Sequence, residues 1–320
     1  MKHRTRRAAA ASVTGLLVPL ALLLSSLPAA AAAVPWLKWT AASRADTDII
    51  YTGSLSCPTA RFCVNIDEDS DVHVFNGKHW AAPVPLGISY VDNWGVSCPT
   101  STWCAAVDVY GNVTYYNGTS WSPPTQIKVG MTLGGISCSS PEFCAAISSN
   151  GFSAATYNGT AWSGPVLIDP GTNGLDAVSC ASRKRCMAVD GSGNVISYNG
   201  SAWSAPRNID GGSYLISVSC PSAKFCAAVD NVGHLLDYNG TSWARPRSID
   251  TNYLGAISCT AVKACVAIDS QGTILQSRGF SKEHRTSVTP FYYADNLSCA
   301  SARFCVAMNE GSQFIVGRPG

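Results

Sequence analysis

The sequence predicts an all-β fold, a seven-bladed β-propeller of four-stranded antiparallel blades, and three observations support it. The phrase S-C-x5-C occurs seven times, at steps of 39 to 42 residues, and uses all 14 cysteines. Asp-x-x-Gly and Tyr-Asn-Gly turns divide most of the units into short apolar segments. The last unit lacks the Trp-containing segment, which the N-terminal part of the chain supplies. A fixed period of this length is typical of a repeat architecture.

The unit LISVSCPSAKFCAAVDNVGHLLDYNGTSWARPRSID, residues 215–250, illustrates the four strands. An apolar strand ends at Cys220, and a second begins at Cys226. A third strand follows the Asp-x-x-Gly turn, and a fourth, which carries Trp243, follows the Asn-Gly turn. Short segments rich in β-branched and aromatic residues, separated by such turns, indicate an antiparallel meander. Seven meanders make a seven-bladed propeller.

The two ends of the chain predict how the ring closes. The segment WTAASRAD at 39–46 aligns with WSAPRNID at 203–210, and Trp39 lies 18 residues before Cys57. The other repeat tryptophans lie 16 to 18 residues before the next cysteine. We therefore expect the N-terminal strand to complete the last blade.

The first 33 residues have a basic start, an apolar middle and an alanine-rich end, which predicts a secretory signal peptide over 1–33. Residues 34–320 are then one propeller domain of a secreted, extracellular protein with no membrane span. In an oxidising compartment paired cysteines form disulfides, and the histidines show no zinc-ligand spacing. The expected pairs are Cys57–Cys63, Cys98–Cys104, Cys138–Cys144, Cys180–Cys186, Cys220–Cys226, Cys259–Cys265 and Cys299–Cys305.

A serine precedes the first cysteine of every unit. Because the blades converge towards the axis, we interpret these serines as small packing residues and not as nucleophiles. They are Ser56, Ser97, Ser137, Ser179, Ser219, Ser258 and Ser298.

Net charge excludes a nucleic-acid partner. The chain has a formal charge of +2, and four of its basic residues lie in the first 33, which leaves −2 beyond them. Most acidic residues fall in the Asp-x-x-Gly turns and the inter-blade connections, whereas seven Lys and Arg residues lie inside the cysteine loops. The predicted disc is therefore electrically two-sided.

The inter-blade connections carry the candidate ligand-binding residues. Four tyrosines each stand six residues before a repeat cysteine, with acidic residues nearby, and aromatic faces beside carboxylates suit a sugar ring. The alternative is that the tyrosines cap blade interfaces and the aspartates shape turns. The candidates are Tyr51, Asp92, Trp94, Asp210, Tyr214, Asp250, Tyr253, Tyr293 and Asp295.

Cofactor and catalytic signals are weak. Single aspartates at the second-strand ends indicate turn chemistry, but Asp67, Asp69 and Asp71 together suggest a weak calcium site. No other cofactor or metal is expected. No histidine, serine and acid pattern predicts a catalytic residue, so we do not expect an enzyme.

The repeated SCPxxxFCxAVD…G…YNGxxW…P…ID resembles the cysteine-repeat β-propeller proteins that actinobacteria export, over residues 39–320. It is also similar to propeller lectins such as those of umbrella toxin particles, which implies recognition of carbohydrate or cell surfaces. The leading hypothesis is a lectin-like binding module for a glycan or surface ligand. The alternative is an extracellular scaffold that binds another secreted protein, and the third is a polysaccharide hydrolase or lyase.

Overall fold

The computed structural model describes Met1 and residues 35–44, 52–67, 69–86, 93–127, 132–148, 151–171, 173–262, 264–278 and 283–320. Apart from Met1, the predicted signal peptide lies outside the described residues. Tyr51 and Asp92 also lie outside them, and Trp94 is described only as part of a strand. Regular secondary structure in the described segments is entirely β-strand. None of these segments contains a helix long and apolar enough to cross a membrane.

The strands in chain order are β1 (Leu37–Trp39), β2 (Ser43–Arg44), β3 (Thr52–Thr59), β4 (Phe62–Asp67), β5 (Asp71–Phe75), β6 (Val84–Pro85), β7 (Asn93–Thr100), β8 (Trp103–Asp108), β9 (Asn112–Tyr116), β10 (Thr125–Gln126), β11 (Leu133–Ser140), β12 (Phe143–Ser148), β13 (Ser153–Tyr157), β14 (Val166–Leu167), β15 (Leu175–Ser182), β16 (Arg185–Asp190), β17 (Asn194–Tyr198), β18 (Arg207–Asn208), β19 (Leu215–Ser222), β20 (Phe225–Asp230), β21 (His234–Tyr238), β22 (Arg247–Ser248), β23 (Leu254–Ala261), β24 (Ala264–Asp269), β25 (Thr273–Arg278), β26 (Glu283–Ser287), β27 (Ala294–Ser301), β28 (Phe304–Asn309) and β29 (Gln313–Pro319).

These strands form seven antiparallel sheets, the blades of a propeller. Blades 1 to 6 are β3–β6, β7–β10, β11–β14, β15–β18, β19–β22 and β23–β26, and blade 7 joins β27–β29 to β1 and β2. The first strand of each blade contacts the first strand of the next, and β27 contacts β3. These innermost strands therefore form a closed ring, and the predicted seven-bladed propeller is confirmed.

The N-terminal strand closes the ring as predicted. Leu37 of β1 pairs with Pro319 of β29, and Ser43 of β2 pairs with Phe314 of the same strand. The Leu37 side chain is only 2% exposed, and its N–H donates to Gln276 Oε1 of blade 6 at 2.8 Å. The closing strand thus belongs to blade 7 and is also hydrogen-bonded to blade 6.

One disulfide braces the first hairpin of each blade, which confirms all seven predicted pairs. In blade 3, for example, Cys138 and Cys144 face each other directly across β11 and β12. The Asn-Gly turn between the third and fourth strands is held by hydrogen bonds that repeat from blade to blade. Asn239 Oδ1 accepts the Thr241 N–H at 3.0 Å, and the Tyr238 hydroxyl donates to the Gly240 carbonyl at 2.8 Å. Gly240 has a φ of 97°, a conformation that favours glycine.

The serines before the cysteines form a ring of hydrogen bonds, which we call the serine belt. Each serine Oγ accepts the backbone N–H of the first cysteine in the next blade, at 2.9 to 3.0 Å. An innermost strand has no neighbour on its axial edge, so its backbone donors need partners from elsewhere. The prediction of packing residues was incomplete, because these side chains also satisfy that edge. The bonds join Ser56–Cys98, Ser97–Cys138, Ser137–Cys180, Ser179–Cys220, Ser219–Cys259, Ser258–Cys299 and Ser298–Cys57.

Candidate functional site

The loops are sorted onto two faces of the disc. Gly240, in an Asn-Gly turn, packs against Lys224 of the cysteine loop, so these loops share what we call the cysteine face. Gly233, in an Asp-x-x-Gly turn, packs against the backbone of Asp250 in the connection between blades 5 and 6. These turns and the inter-blade connections share the opposite, connection face.

Three of the predicted tyrosines occupy one repeat position on the connection face. Tyr214, Tyr253 and Tyr293 directly precede the innermost strands of blades 5, 6 and 7. Because neighbouring innermost strands contact each other around the axis, the tyrosines lie in an arc at the axial opening. Tyr293 is 67% exposed and Tyr253 is 42% exposed, whereas Tyr214 is partly buried. With the acidic residues Asp176, Asp295 and Glu310, we call this arc the axial rim.

Tyr214 is held by blade 4. Its hydroxyl donates to Asp176 Oδ1 at 2.9 Å, and its ring lies against Gly191, where a Cβ atom would be 2.7 Å from the ring Cζ. Burial raises the pKa of Asp176 to about 7; the Tyr214 hydrogen bond opposes that rise, and the charge of Asp190 adds to it. Burial and the Asp176 charge raise the pKa of Tyr214 to about 12. This tyrosine is therefore a fixed, neutral donor.

Asp295 stands at the other end of the rim, in blade 7. Its Oδ1 accepts a hydrogen bond from Asn296 Nδ2 at 2.9 Å. Desolvation by surrounding protein raises its pKa to about 7, with Glu310 adding to the rise, although water reaches its surface. Asp295 is therefore a solvent-accessible carboxyl group whose pKa lies above the ordinary range.

Tyr253 lies close enough to carboxyl groups at both ends of the rim to interact with their charges. Burial raises its pKa, and the charges of Asp295, Asp176 and Glu310 raise it further. Three carboxyl groups therefore lie within electrostatic range of one exposed phenol. With pKa values near 7, Asp176 and Asp295 can each accept or donate a hydrogen bond around neutral pH.

Two predicted site residues are placed differently. Asp210 and Asp250 are buried, so they do not present carboxylates to solvent beside the tyrosines. Asp250 Oδ2 forms an ion pair with Arg285 Nη1 at 2.8 Å, and its Oδ1 accepts the Thr251 N–H. The negative charge of Asp250 is thus paired with an arginine of blade 6 inside the fold.

Sequence reasoning missed Asp176 and Glu310. Asp176 stands four residues before a repeat cysteine, a position where only blades 4 and 7 carry aspartate. Alignment of the units at that position would have paired it with Asp295. The ligand-binding roles of all the candidates, including Tyr51, Asp92 and Trp94, stay predictions.

The cysteine face carries a basic groove between blades 7 and 1. Arg61, Lys78, Arg303 and Arg318 line a cavity of about 740 Å³, whose described lining contains no carboxylate. Arg318 is fixed there, because its guanidinium lies 5.2 Å from the centre of the Phe304 ring. Two of these cations, Arg61 and Arg303, belong to the cysteine loops of blades 1 and 7.

The aspartates of blade 1 have partners within the fold. Asp67 Oδ1 accepts the Asp71 N–H at 2.8 Å, and its Oδ2 lies 2.7 Å from His73 Nε2. Asp69 is exposed. The weak calcium site at Asp67, Asp69 and Asp71 stays a prediction.

No family model matches the chain, and neither does any curated protein. Solved structures match it in fold. Virginiamycin B lyase from Staphylococcus aureus superposes with a TM-score of 0.76 at 7% identity, over 88% of this chain and 99% of that one. YCF48 bound to D1 peptide gives 0.70 at 14%, over 91% and 99%. The Pan2 WD40 domain of Neurospora crassa gives 0.71 at 7%, over 88% and 95%. Likeness at these identities shows the propeller fold alone, and the specific cysteine-repeat family stays a prediction.

Proposed function

We propose that this protein is a secreted binding module that recognises a glycan or glycan-bearing surface ligand at the axial rim. One observation carries the proposal: Tyr253 and Tyr293 expose their rings at one repeat position, beside carboxyl groups with pKa values near 7. Binding residues are commonly found on loops that a rigid scaffold positions.

Sugar chemistry fits this combination. A pyranose ring has an apolar face that packs on an aromatic ring, while its hydroxyls need both donors and acceptors at the edge. A carboxyl group that is protonated in part of the population, as expected for Asp295 near pH 7, supplies either role. Asp295 is exposed to solvent beside the exposed Tyr293 ring.

Secretion is the second part of the proposal. All 14 cysteines form disulfides, and disulfides persist in oxidising compartments. The predicted signal peptide over residues 1–33 supports the same location.

The test is a glycan-array screen, followed by calorimetric titration of the strongest ligand. We expect Tyr253→Ala and Tyr293→Ala each to weaken binding about tenfold, which corresponds to roughly 1.4 kcal/mol. Tyr110→Ala is the matched control, because Tyr110 is 60% exposed in a turn of blade 2 on the same face. No glycan binding, or equal losses in all three variants, would sink the proposal. Release of products from a panel of polysaccharides incubated with the protein would instead favour a hydrolase or lyase.

A protein-interaction scaffold is the second candidate, and the basic groove on the cysteine face favours it. Four cationic side chains without a carboxylate in the described lining suit an acidic segment of a partner. The similar YCF48 structure is described as bound to a peptide. Capture of a partner from culture medium, lost in high salt and in Arg61→Glu with Arg303→Glu, would support the scaffold. Capture that survives both changes would exclude this groove.

A further inference from the structure

Among the described residues, the buried carboxyl group of Asp210 has no hydrogen-bond partner on either oxygen. Asp210, in the connection between blades 4 and 5, is only 4% exposed. Within the described part of the chain, no hydrogen-bond donor reaches either its Oδ1 or its Oδ2. A buried carboxyl group in this position must gain a proton, a cation or an ordered donor, because leaving it desolvated and unpaired is costly.

Two metal-ligand side chains of blade 5 face Asp210. One carboxylate oxygen of Asp210, one of Asp230 and a ring nitrogen of His234 lie within 4.8 Å of one another. Asp230 is fully buried, and its Oδ1 accepts the backbone N–H groups of Val232 and His234 at 3.0 and 2.6 Å. Its Oδ2 lies 2.7 Å from His234 Nδ1. The backbone thus orients Asp230 through one oxygen, in the manner of outer-shell support at metal sites, and leaves the other for a ligand.

We propose that Asp210, Asp230 and His234 form a binding site for one divalent transition-metal ion, with zinc as the best match. Two carboxylates balance the charge of a divalent cation. An imidazole nitrogen among the donors favours zinc-like ions over calcium and magnesium, which take oxygen ligands. Three protein ligands leave one position of a tetrahedral site for water.

Entry of the ion requires a small movement of His234. Zinc bonds of about 2.0–2.2 Å place tetrahedral donors about 3.3 Å apart, more than the 2.7 Å between Asp230 Oδ2 and His234 Nδ1. The His234 side chain is 32% exposed, so its ring can shift by this amount and also gives solvent a path to the site. The metal bond replaces the Asp230–His234 hydrogen bond.

The neighbouring blades supply natural comparisons. Asp169 and Asp190 repeat the pair of buried aspartates one blade earlier, but there Asn194 Nδ2, and not an imidazole, donates to Asp190 Oδ2 at 2.7 Å. An amide nitrogen is not a metal ligand. One blade later, the cation that faces Asp250 is Arg285. Blade 5 therefore combines the unpartnered carboxyl group with an imidazole.

The bound ion would fasten the connection that leads into the axial rim. It would link Asp210 to blade 5 four residues before Tyr214, whose N–H donates to Asn231 Oδ1 at 3.1 Å. The site does not depend on the proposed glycan function, since none of its three ligands belongs to the rim.

The test uses the full disulfide-bonded chain, stripped with a chelator and titrated with zinc, manganese, calcium and magnesium chlorides. We expect one zinc ion per chain by calorimetry and elemental analysis, a higher melting temperature with zinc, and weaker binding of calcium and magnesium. Asp210→Asn and His234→Asn should each weaken zinc binding at least tenfold. His234→Asn recreates the Asn194 arrangement and keeps a donor to Asp230. Asp169→Asn, the matched control, should bind zinc like the unchanged chain.

Three results would overturn the proposal. The first is an absence of zinc binding at millimolar zinc, and the second is unchanged binding in both ligand variants while circular dichroism shows a native fold. The third is a preference for calcium over zinc. If zinc does not bind and Asp210→Asn stabilises the chain, the two aspartates share a proton instead.

Discussion

The two ends of each innermost strand differ in how strictly they repeat. At the cysteine end, all seven blades carry serine and cysteine, joined by the serine belt and braced by a disulfide. At the other end, the position four residues before the cysteine holds glycine in three blades, aspartate in two, and tryptophan or isoleucine in the others. Closure of the ring requires the serine and the cysteine in every blade, whereas in the described part of the chain no comparable bond fixes the residue at the other end, so that residue varies. The candidate functional residues of the axial rim therefore lie at the variable ends of the innermost strands.

The largest expected effect comes from opening the ring. Leu37→Ala should lower the free energy of unfolding by about 2–5 kcal/mol, because it removes a buried side chain at the junction of blades 6 and 7. Lys38→Ala, on the exposed side of the same strand, should change it by less than about 0.5 kcal/mol. Chemical denaturation measures both. Equal effects would mean that the strand does not close the ring by packing.

Removal of one brace should have the next largest effect. Cys180→Ala with Cys186→Ala should lower the unfolding free energy by roughly 2 kcal/mol, since the disulfide closes a short loop. Binding at the axial rim should be unchanged, because the brace lies at the other end of the strand. A loss of ligand binding in a folded variant would show that the two ends of the strand do not act independently.

A single bond of the serine belt should matter less. Ser219→Ala removes the acceptor of the Cys259 N–H and should cost about 1 kcal/mol by denaturant titration. Hydrogen exchange should become faster at the Cys259 amide and stay unchanged at the Cys138 amide, whose bond to Ser97 remains. Unchanged exchange at Cys259 would show that the belt does not protect this edge.

The axial rim should give a pH dependence that the cysteine end lacks. The folded pKa of Asp176 and of Asp295 is about 7, above the ordinary 3.8, so the native state holds extra protons between these values. Their contribution to stability is fully present below about pH 4 and is lost as pH rises through 7. Unfolding free energies measured from pH 5 to 8 should therefore fall. Asp176→Asn keeps an acceptor for Tyr214 but cannot take up the extra proton. The slope of the unfolding free energy against pH should therefore become shallower, by the contribution of up to about one bound proton. An unchanged slope would contradict the assignment.

Repetition explains how much could be predicted from the sequence. Blade number, disulfide pairing and ring closure follow from the spacing of the cysteines and tryptophans, because each repeat folds into the same four-stranded unit. The serine belt could not be inferred in the same way, since its bonds run between blades: six join residues about 40 positions apart, and the bond that closes the ring joins Ser298 to Cys57. For the same reason Asp176 was missed: its partner Tyr214 belongs to the next unit, 38 residues later. The burial of Asp210 and Asp250 also depends on how one unit packs on the next.

A crystal structure of the protein soaked with its strongest array ligand would show directly whether the axial rim binds glycans. We expect a sugar ring packed on Tyr253 or Tyr293, with a hydroxyl within hydrogen-bond distance of Asp295. Ligand density in the basic groove lined by Arg61 and Arg303, with none at the axial rim, would contradict it.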